Sequence, residues 1–140
     1  MIQFNFPTII FYGTDSIKDL PPAIKGKNIQ RLLLVTDPKL VEIGLVEKVL
    51  DILIDKNLEI EIFDGVHPNP IERDVISGVQ TFQSGNYEAI VALGGGSAMD
   101  VAKTIRFMAV HKPPLSKYDD AVGGDAEIIN ALPPMFAIPT

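Results

Sequence analysis

The chain has 140 residues, enough for one domain, and 46% of them are hydrophobic, enough to bury a core. Its net charge of −6 argues against nucleic acid and against an anionic membrane surface as partners. Without cysteine it can form neither a disulfide nor a thiolate metal site. The N-terminus lacks the basic and long apolar stretches of a signal peptide, and no apolar run is long enough to cross a bilayer. A soluble, cytoplasmic protein is therefore expected.

Strand patterns and helix patterns alternate along the chain. Apolar or alternating runs predict strands over residues 3–12, 31–36, 58–63, 89–93 and 135–138. Apolar residues at helical spacing predict helices over 17–24, 38–53, 71–83 and 98–110, the first weakened or split by two prolines. Residues 112–132 are expected to form a surface segment with at most a short helix near Ile128. One domain over 1–140 follows from this pattern.

The alternation of strands and helices predicts an α/β fold with a mainly parallel sheet and flanking helices. In such sheets, ligands bind at the carboxyl ends of the strands. Three loops would lie at those ends, namely 37–38, 64–70 and 94–97. Their convergence predicts a ligand site.

The last of these loops contains three consecutive glycines. Gly94–Gly96 follow a buried strand, and glycine lets the backbone turn sharply and lets a ligand approach it. Ser97 is expected to cap the next helix, with Asp100 completing a capping box. The free amides from Ala98 onward, at the positive end of the helix, could then bind a pyrophosphate. The alternative, a plain strand-to-helix turn in which Ser97 only caps, stays open.

An acidic residue, Asp37, closes the second predicted strand. A carboxylate there can accept hydrogen bonds from both hydroxyls of an adenosine ribose and would repel a 2′-phosphate, which favours NAD over NADP. Equally, Asp37 could simply cap the helix that begins at Pro38. In the usual Rossmann order the acidic residue follows the glycine turn by about 20 residues. Here it precedes the turn, so a Rossmann-like fold of non-standard order is expected.

These features together resemble the iron-containing, or group III, alcohol dehydrogenases. The resemblance spans nearly the whole chain and rests on Thr36-Asp37, on the loop His67-Pro68-Asn69-Pro70, on Gly94 to Lys103 and on Leu132 to Thr140. Within the family, Ser97 and the Pro-Asn-Pro loop fit the butanol or lactaldehyde dehydrogenase branch. The resemblance implies that a C-terminal helical domain, which carries metal and much of the substrate pocket, is absent from these 140 residues. We therefore expect a truncated dehydrogenase.

Matching positions imply a set of cofactor contacts. Asp37 would hold the adenosine ribose, and Asn69 would lie near the nicotinamide. The remaining implied contacts are Gly95, Gly96 and Ser97 at the pyrophosphate, Ala98, Met99 and Asp100 along the adjoining wall, and Thr140 at the start of an adenine-side loop.

The family's metal is held by one aspartate and three histidines of the C-terminal domain. This chain has only His67 and His111, which are not at ligand spacing, so we expect it to bind no metal. We also expect it to contain no catalytic residue. The resemblance implies hydride transfer between an alcohol or aldehyde and NAD, with iron or another divalent metal in the missing domain. The chain alone would then be inactive, with NAD and a small alcohol as partners. Exposed apolar surface would favour a homo-oligomer, such as a dimer.

Two other functions share these sequence features. One is a non-catalytic dinucleotide-binding module that acts through a partner. The other is a fragment of an NAD-dependent lyase similar to dehydroquinate synthase, against which Ser97 and the Pro-Asn-Pro loop speak. A reading frame that continues past Thr140 with aspartate and histidine ligands would favour the enzyme, and a stop codon would favour the module.

Overall fold

The structure, a computed structural model, describes residues 8–55 and 57–140. Its strands are β1 (Arg31–Val35), β2 (Glu59–Phe63), β3 (Ala89–Gly94) and β4 (Met135–Pro139). Its α-helices are α1 (Leu20–Lys25), α2 (Pro38–Glu42), α3 (Leu45–Ile52), α4 (Glu72–Ser84) and α5 (Gly96–Met108). Short 3-10 helices cover Ser16–Asp19, Leu115–Tyr118, Asp120–Val122 and Gly124–Glu127.

The four strands form one parallel sheet in the order β2-β1-β3-β4. This confirms the predicted α/β fold and its parallel sheet. From β1 the chain first moves outward to β2, then crosses back to β3 on the other side of β1. The gap between β1 and β3 is therefore the topological switch point of the sheet, the place where ligands bind in open α/β folds.

The core lies on both faces of the two central strands. On one face, Leu32 and Leu34 pack with residues of α1 and α3, among them Ile24 and Val49. On the other face, side chains of β1 and β3 pack with residues of α4 and α5, such as Ile105. Residues 32–35 and 89–92 are fully buried. A strand covered on both faces needs apolar residues at every position, which explains the continuous apolar runs.

The helix predicted over 38–53 is two helices. α2 ends at Glu42 and α3 begins at Leu45, because Gly44 between them adopts a left-handed conformation with φ of 73°. Near the N-terminus, a 3-10 helix gives way to α1, whose second and third residues are Pro21 and Pro22. Proline fits the first turn of a helix but not its interior, so the predicted split falls at these residues.

Two other segments depart from the expected pattern. Residues 8–12, the described part of the predicted strand 3–12, contain no strand, and the rest of that prediction lies outside the described residues. The segment 112–132 contains three 3-10 helices, all ending before Ile128. Across the described ranges, no helix has the length and apolar character needed to cross a membrane.

Candidate functional site

Three loops meet at the switch point, one after each of β1, β2 and β3. A Cβ atom built on Gly94 would lie 3.5 Å from Oδ2 of Asp37, which brings the first and third loops together. The Ser97 hydroxyl donates a hydrogen bond to the carbonyl of Pro68 at 2.8 Å, which joins the second loop to the third. Thr140 follows β4, and its amide donates to the Gly94 carbonyl at 3.2 Å. The site therefore combines four segments of the chain.

The glycines of the turn meet different surroundings. Gly94 has φ of 145°, and a Cβ there would approach the Ala98 Cβ to 2.8 Å, so the fold itself requires glycine. Gly95 and Gly96 are exposed, and within 8–55 and 57–140 no atom outside the turn and its own helix backbone lies within 4 Å of a Cβ built on either. Neither has a positive φ. The space in front of these two residues is open, so the fold leaves room there for a ligand.

The start of α5 corrects the predicted cap. The helix begins at Gly96 with Gly95 as its N-cap, so the prediction that Ser97 caps the helix is wrong. The Ser97 hydroxyl is instead engaged by the Pro68 carbonyl, and Asp100 lies 3.6 Å from Lys103 instead of completing a capping box. Glycine is accepted at the N-cap, which lets the helix start two residues earlier than predicted.

The earlier start moves the free amides into the glycine turn. The Met99 amide donates to the carbonyl of Gly95 at 3.1 Å and so closes the first turn of α5. The amides of Gly96, Ser97 and Ala98 precede it and have no intrahelical acceptor. α5 has 13 residues, so its dipole adds partial positive charge at this end. The arrangement suits an anion.

Asp37 caps α2 and also faces the glycine turn. Its Oδ1 accepts a hydrogen bond from the Leu40 amide at 3.1 Å, so the capping role is present. Its Oδ2 lies on the side of Gly94, and the side chain is half-buried. One oxygen can therefore cap the helix while the other remains for a ligand. Thr36, just before it, is fully buried, and its hydroxyl has no hydrogen-bond partner among residues 8–55 and 57–140.

The loop after β2 is anchored by a pair that the sequence analysis missed. Nδ1 of His67 lies 2.9 Å from Oδ1 of Asp74, and the Ile71 amide donates to Oδ2 at 3.2 Å. Burial raises the pKa of the Asp74 carboxyl, but the hydrogen bonds from Ile71 and His67 outweigh it and hold the pKa below its usual range. The carboxylate is thus charged and buried. An aspartate in the first turn of a predicted helix, after a histidine-bearing loop, was the available signal.

The other predicted contacts divide into exposed and buried ones. Asn69 and Asp100 are exposed, and Asp100 also lines a groove of about 810 Å³ together with Pro70 of the loop after β2 and residues of the segment 115–128. The Ala98 side chain is buried beneath the turn, and Met99 packs against the core on the α4–α5 face. The Ala98 side chain is therefore inaccessible, and this residue could contribute to a ligand site at the turn only through its backbone.

An acidic residue and a glycine turn thus meet at the switch point of a parallel α/β sheet, the place where ligands bind in open α/β folds. The family model described as "Iron-containing alcohol dehydrogenase" matches residues 7–140. The chain belongs to this family.

Named relatives are similar over nearly all of the chain. It is 35% identical over 137 residues to a choline dehydrogenase of Bacillus subtilis, covering 98% of the chain and 34% of that protein. It is 34% identical to alcohol dehydrogenase 4 of Saccharomyces cerevisiae, covering 98% of the chain and 35% of the relative. It is also 34% identical to a 1,3-propanediol dehydrogenase of Klebsiella pneumoniae, covering all of the chain and 36% of the relative. The chain thus spans about a third of these proteins.

Solved structures agree with this placement. A 1,3-propanediol oxidoreductase superposes with a TM-score of 0.87 at 33% identity, covering all of this chain and 36% of that one. An NADH-dependent butanol dehydrogenase A from Thermotoga maritima superposes with a TM-score of 0.85 at 28% identity, covering all of this chain and 34% of that one. The predicted family resemblance is therefore confirmed.

The described residues do not suit the metal that the family name implies. Within 8–55 and 57–140, no group of three or more histidine, aspartate or glutamate side chains is placed to hold a metal ion. His111 is buried, with Nδ1 donating to the Phe107 carbonyl at 2.9 Å and Nε2 accepting from the Asn130 amide at 3.4 Å. His67 is paired with Asp74. The described ranges therefore offer no set of side chains through which a metal could take part in catalysis.

Proposed function

We propose that this chain is the N-terminal, NAD-binding part of an alcohol dehydrogenase that moves hydride between an alcohol or aldehyde and NAD. The observation that carries the proposal is the meeting of Asp37 with the open glycine turn at the switch point of the sheet. Bound NAD would supply the hydride chemistry, and the protein would supply binding, orientation and electrostatics.

The first turn of α5 would hold the pyrophosphate. The amides of Gly96, Ser97 and Ala98 have no intrahelical acceptor, and the helix dipole favours negative charge at this end. Gly95 and Gly96 would let the phosphates approach the backbone, since the space before them is open. Ser97 contributes through its amide, because its hydroxyl already donates to Pro68.

Asp37 would select NAD over NADP. Its Oδ2 faces the glycine turn while Oδ1 stays on the α2 cap, so the carboxylate could accept hydrogen bonds from ribose hydroxyls without releasing the helix. A 2′-phosphate at the same place would meet a negative charge. Hydrogen bonds to a charged group contribute about 1.5–3 kcal/mol each, enough to decide between the two cofactors.

The other predicted contacts fit around this centre as proposals. Asn69, on the loop tied to Ser97, would lie toward the nicotinamide. Thr140, tied to the Gly94 carbonyl, would begin the adenine side. The backbone of Met99 and the exposed carboxylate of Asp100 would border the cofactor along α5.

Calorimetric titration with NAD⁺ and NADP⁺, without added metal, tests the proposal. We expect saturable NAD⁺ binding and at least tenfold weaker NADP⁺ binding, a difference of about 1.4 kcal/mol. If neither NAD⁺ nor NADP⁺ binds, the proposal is contradicted.

The variant Asp37→Ser isolates the role of the carboxylate, because serine retains an N-cap side chain for α2. We expect unchanged stability, weaker NAD⁺ binding and reduced discrimination against NADP⁺. Asp37→Gly should reduce affinity and discrimination in the same way. If Asp37→Ser keeps both the affinity and the selectivity, Asp37 is only a cap.

We further propose that this chain alone does not turn over alcohol, since its described residues offer no ligand set to polarise the substrate oxygen. A coupled assay of NAD⁺ reduction with butanol or 1,2-propanediol should show no rate above background. Sustained turnover by the isolated chain would contradict this.

Self-association is proposed as well. Ile9, Ile10 and Phe11 are 80%, 65% and 54% exposed, and a run of exposed apolar residues favours association with a second copy. A homo-oligomer, such as a dimer, in the cytoplasm is the expected state. Light scattering coupled to size exclusion would give its mass, and a monomer at all concentrations would contradict the proposal.

A further inference from the structure

The loop between β2 and α4 is anchored at three consecutive residues. Val66 is 1% exposed and belongs to the core on the α4–α5 face. His67 contacts Asp74 of α4 through Nδ1 at 2.9 Å. The Pro68 carbonyl accepts from Ser97 of α5 at 2.8 Å. The next residue, Asn69, is exposed.

The contact between His67 and Asp74 joins an exposed ring to a buried carboxylate. The His67 side chain is 63% exposed and that of Asp74 is 3% exposed. Both carboxylate oxygens are engaged, one by His67 and the other by the amide of Ile71. Such a carboxylate cannot rotate away without losing a hydrogen bond in a buried place, which is costly. It therefore gives the loop a fixed point on α4.

The pairing with Asp74 also determines which nitrogen of the His67 ring carries a proton in the neutral form. An ionised carboxylate only accepts hydrogen bonds, so Nδ1 of His67 must carry the proton. In the neutral ring, Nε2 is then the nitrogen without a proton. This tautomer can be read directly from nitrogen chemical shifts.

We propose that His67 and Asp74 form a positioning pair that holds the loop bearing Asn69 in its cofactor-binding conformation. The inference rests on the proposed function, because it assigns the loop to the cofactor site. Neither residue is a catalytic residue, since both act through the position of the loop. A loop ordered before binding saves the ligand the cost of ordering it, and so raises affinity.

Comparing His67→Asn with His67→Ala separates the pair from a direct ligand contact. Asparagine places an N–H donor near the position of Nδ1 and lacks the Nε2 end of the ring, so it can keep the bond to Asp74. We expect His67→Asn to bind NAD⁺ within about twofold of the parent chain and His67→Ala to bind roughly tenfold more weakly. Both substitutions are at an exposed side chain, so both variants should fold.

Amide hydrogen exchange supplies a readout that does not depend on cofactor. Without ligand, His67→Ala should speed exchange at least about tenfold at the amide of Ile71, which ends the loop and donates to Asp74, and His67→Asn should restore its protection. At a pH where the ring is neutral, nitrogen shifts should show the Nδ1–H tautomer in the parent chain.

Three results would overturn the pairing. They are unchanged exchange in His67→Ala, an asparagine variant that binds as weakly as the alanine variant, and a neutral parent ring whose single proton is on Nε2. If the parent chain binds no NAD⁺, the proposed function fails, and the proposed role of the pair at the cofactor site fails with it. The exchange and shift data then still report whether the pair orders the loop.

Discussion

The glycines of the turn differ in whether the fold itself has room for a side chain. Gly94 has a positive φ and no room for a Cβ, whereas Gly95 and Gly96 have both an ordinary backbone and open space. A side chain at Gly94 is therefore resisted by the fold, and one at Gly95 would be resisted only by a ligand. Substitution of Gly94 therefore tests folding, and substitution of Gly95 tests ligand binding.

We expect Gly95→Val to fold and to lose NAD⁺ affinity at least about tenfold, because its side chain would fill the space before the α5 amides. Its free energy of unfolding should fall by no more than about 1 kcal/mol, the effect of a poorer N-cap residue. Urea denaturation and calorimetry would measure the two quantities.

The adjacent Gly94→Ala serves as the contrasting variant. It should lose roughly 1–3 kcal/mol of stability through backbone strain, before its contact with Ala98 is counted. A Gly95→Val chain that binds NAD⁺ as well as the parent would show that the turn does not hold the pyrophosphate.

Among the helices and strands, the four strands of the sheet were predicted closely, whereas the strand expected over 3–12 is absent from residues 8–12 and the helix boundaries were less accurate. The two central strands are buried on both faces, so their apolar runs carry the whole signal. The break at Gly44 and the early start at Gly96 both depend on glycine, which is compatible with a helix, a cap or a turn. Which of these forms depends on tertiary contacts, such as the bond from Ser97 to Pro68.

Asp74, in the first turn of α4, makes the stability of the folded chain depend on pH in the acidic range. The pKa of Asp74 is held below its ordinary value of 3.8, so the folded chain keeps the charge where the unfolded chain takes up a proton. This contribution is fully present above pH 3.8 and is lost as the pH falls below it. We expect the free energy of unfolding of Asp74→Asn to be about 1–3 kcal/mol lower than that of the parent chain at pH 7. As the pH falls into the acidic range, it should decline less steeply than that of the parent chain.

Urea denaturation of the parent chain and of Asp74→Asn between pH 7 and about pH 2 would measure this difference. Glu72→Gln is a suitable control, because Glu72 begins the same helix and is exposed. If the free energy of unfolding falls equally in acid for the parent chain and for Asp74→Asn, Asp74 gives no pH-dependent stability.

For the molecule as a whole, the sequence predicted a parallel sheet but not how its strands are ordered. The order β2-β1-β3-β4 places the loops after β1 and β3 side by side. That order brings Asp37 beside Gly94 although they are far apart in sequence. Asp37 and the glycine turn each carry a local signal in the sequence, whereas the pair of His67 and Asp74 depends on how the loop folds back onto α4.

Stability should be distributed unevenly through the molecule. Leu34 is 0% exposed in the centre of the sheet, whereas Ile129 is 81% exposed beyond the last 3-10 helix. We expect Leu34→Ala to lose about 2–5 kcal/mol through lost burial and a cavity, and Ile129→Lys to change stability by no more than about 0.5 kcal/mol. Amides of β1 and β3 should exchange only on global unfolding, and those of 115–127 much sooner, because that segment buries little apolar surface. Equal protection in the two regions, or a large loss from Ile129→Lys, would show that the segment is part of the cooperative core.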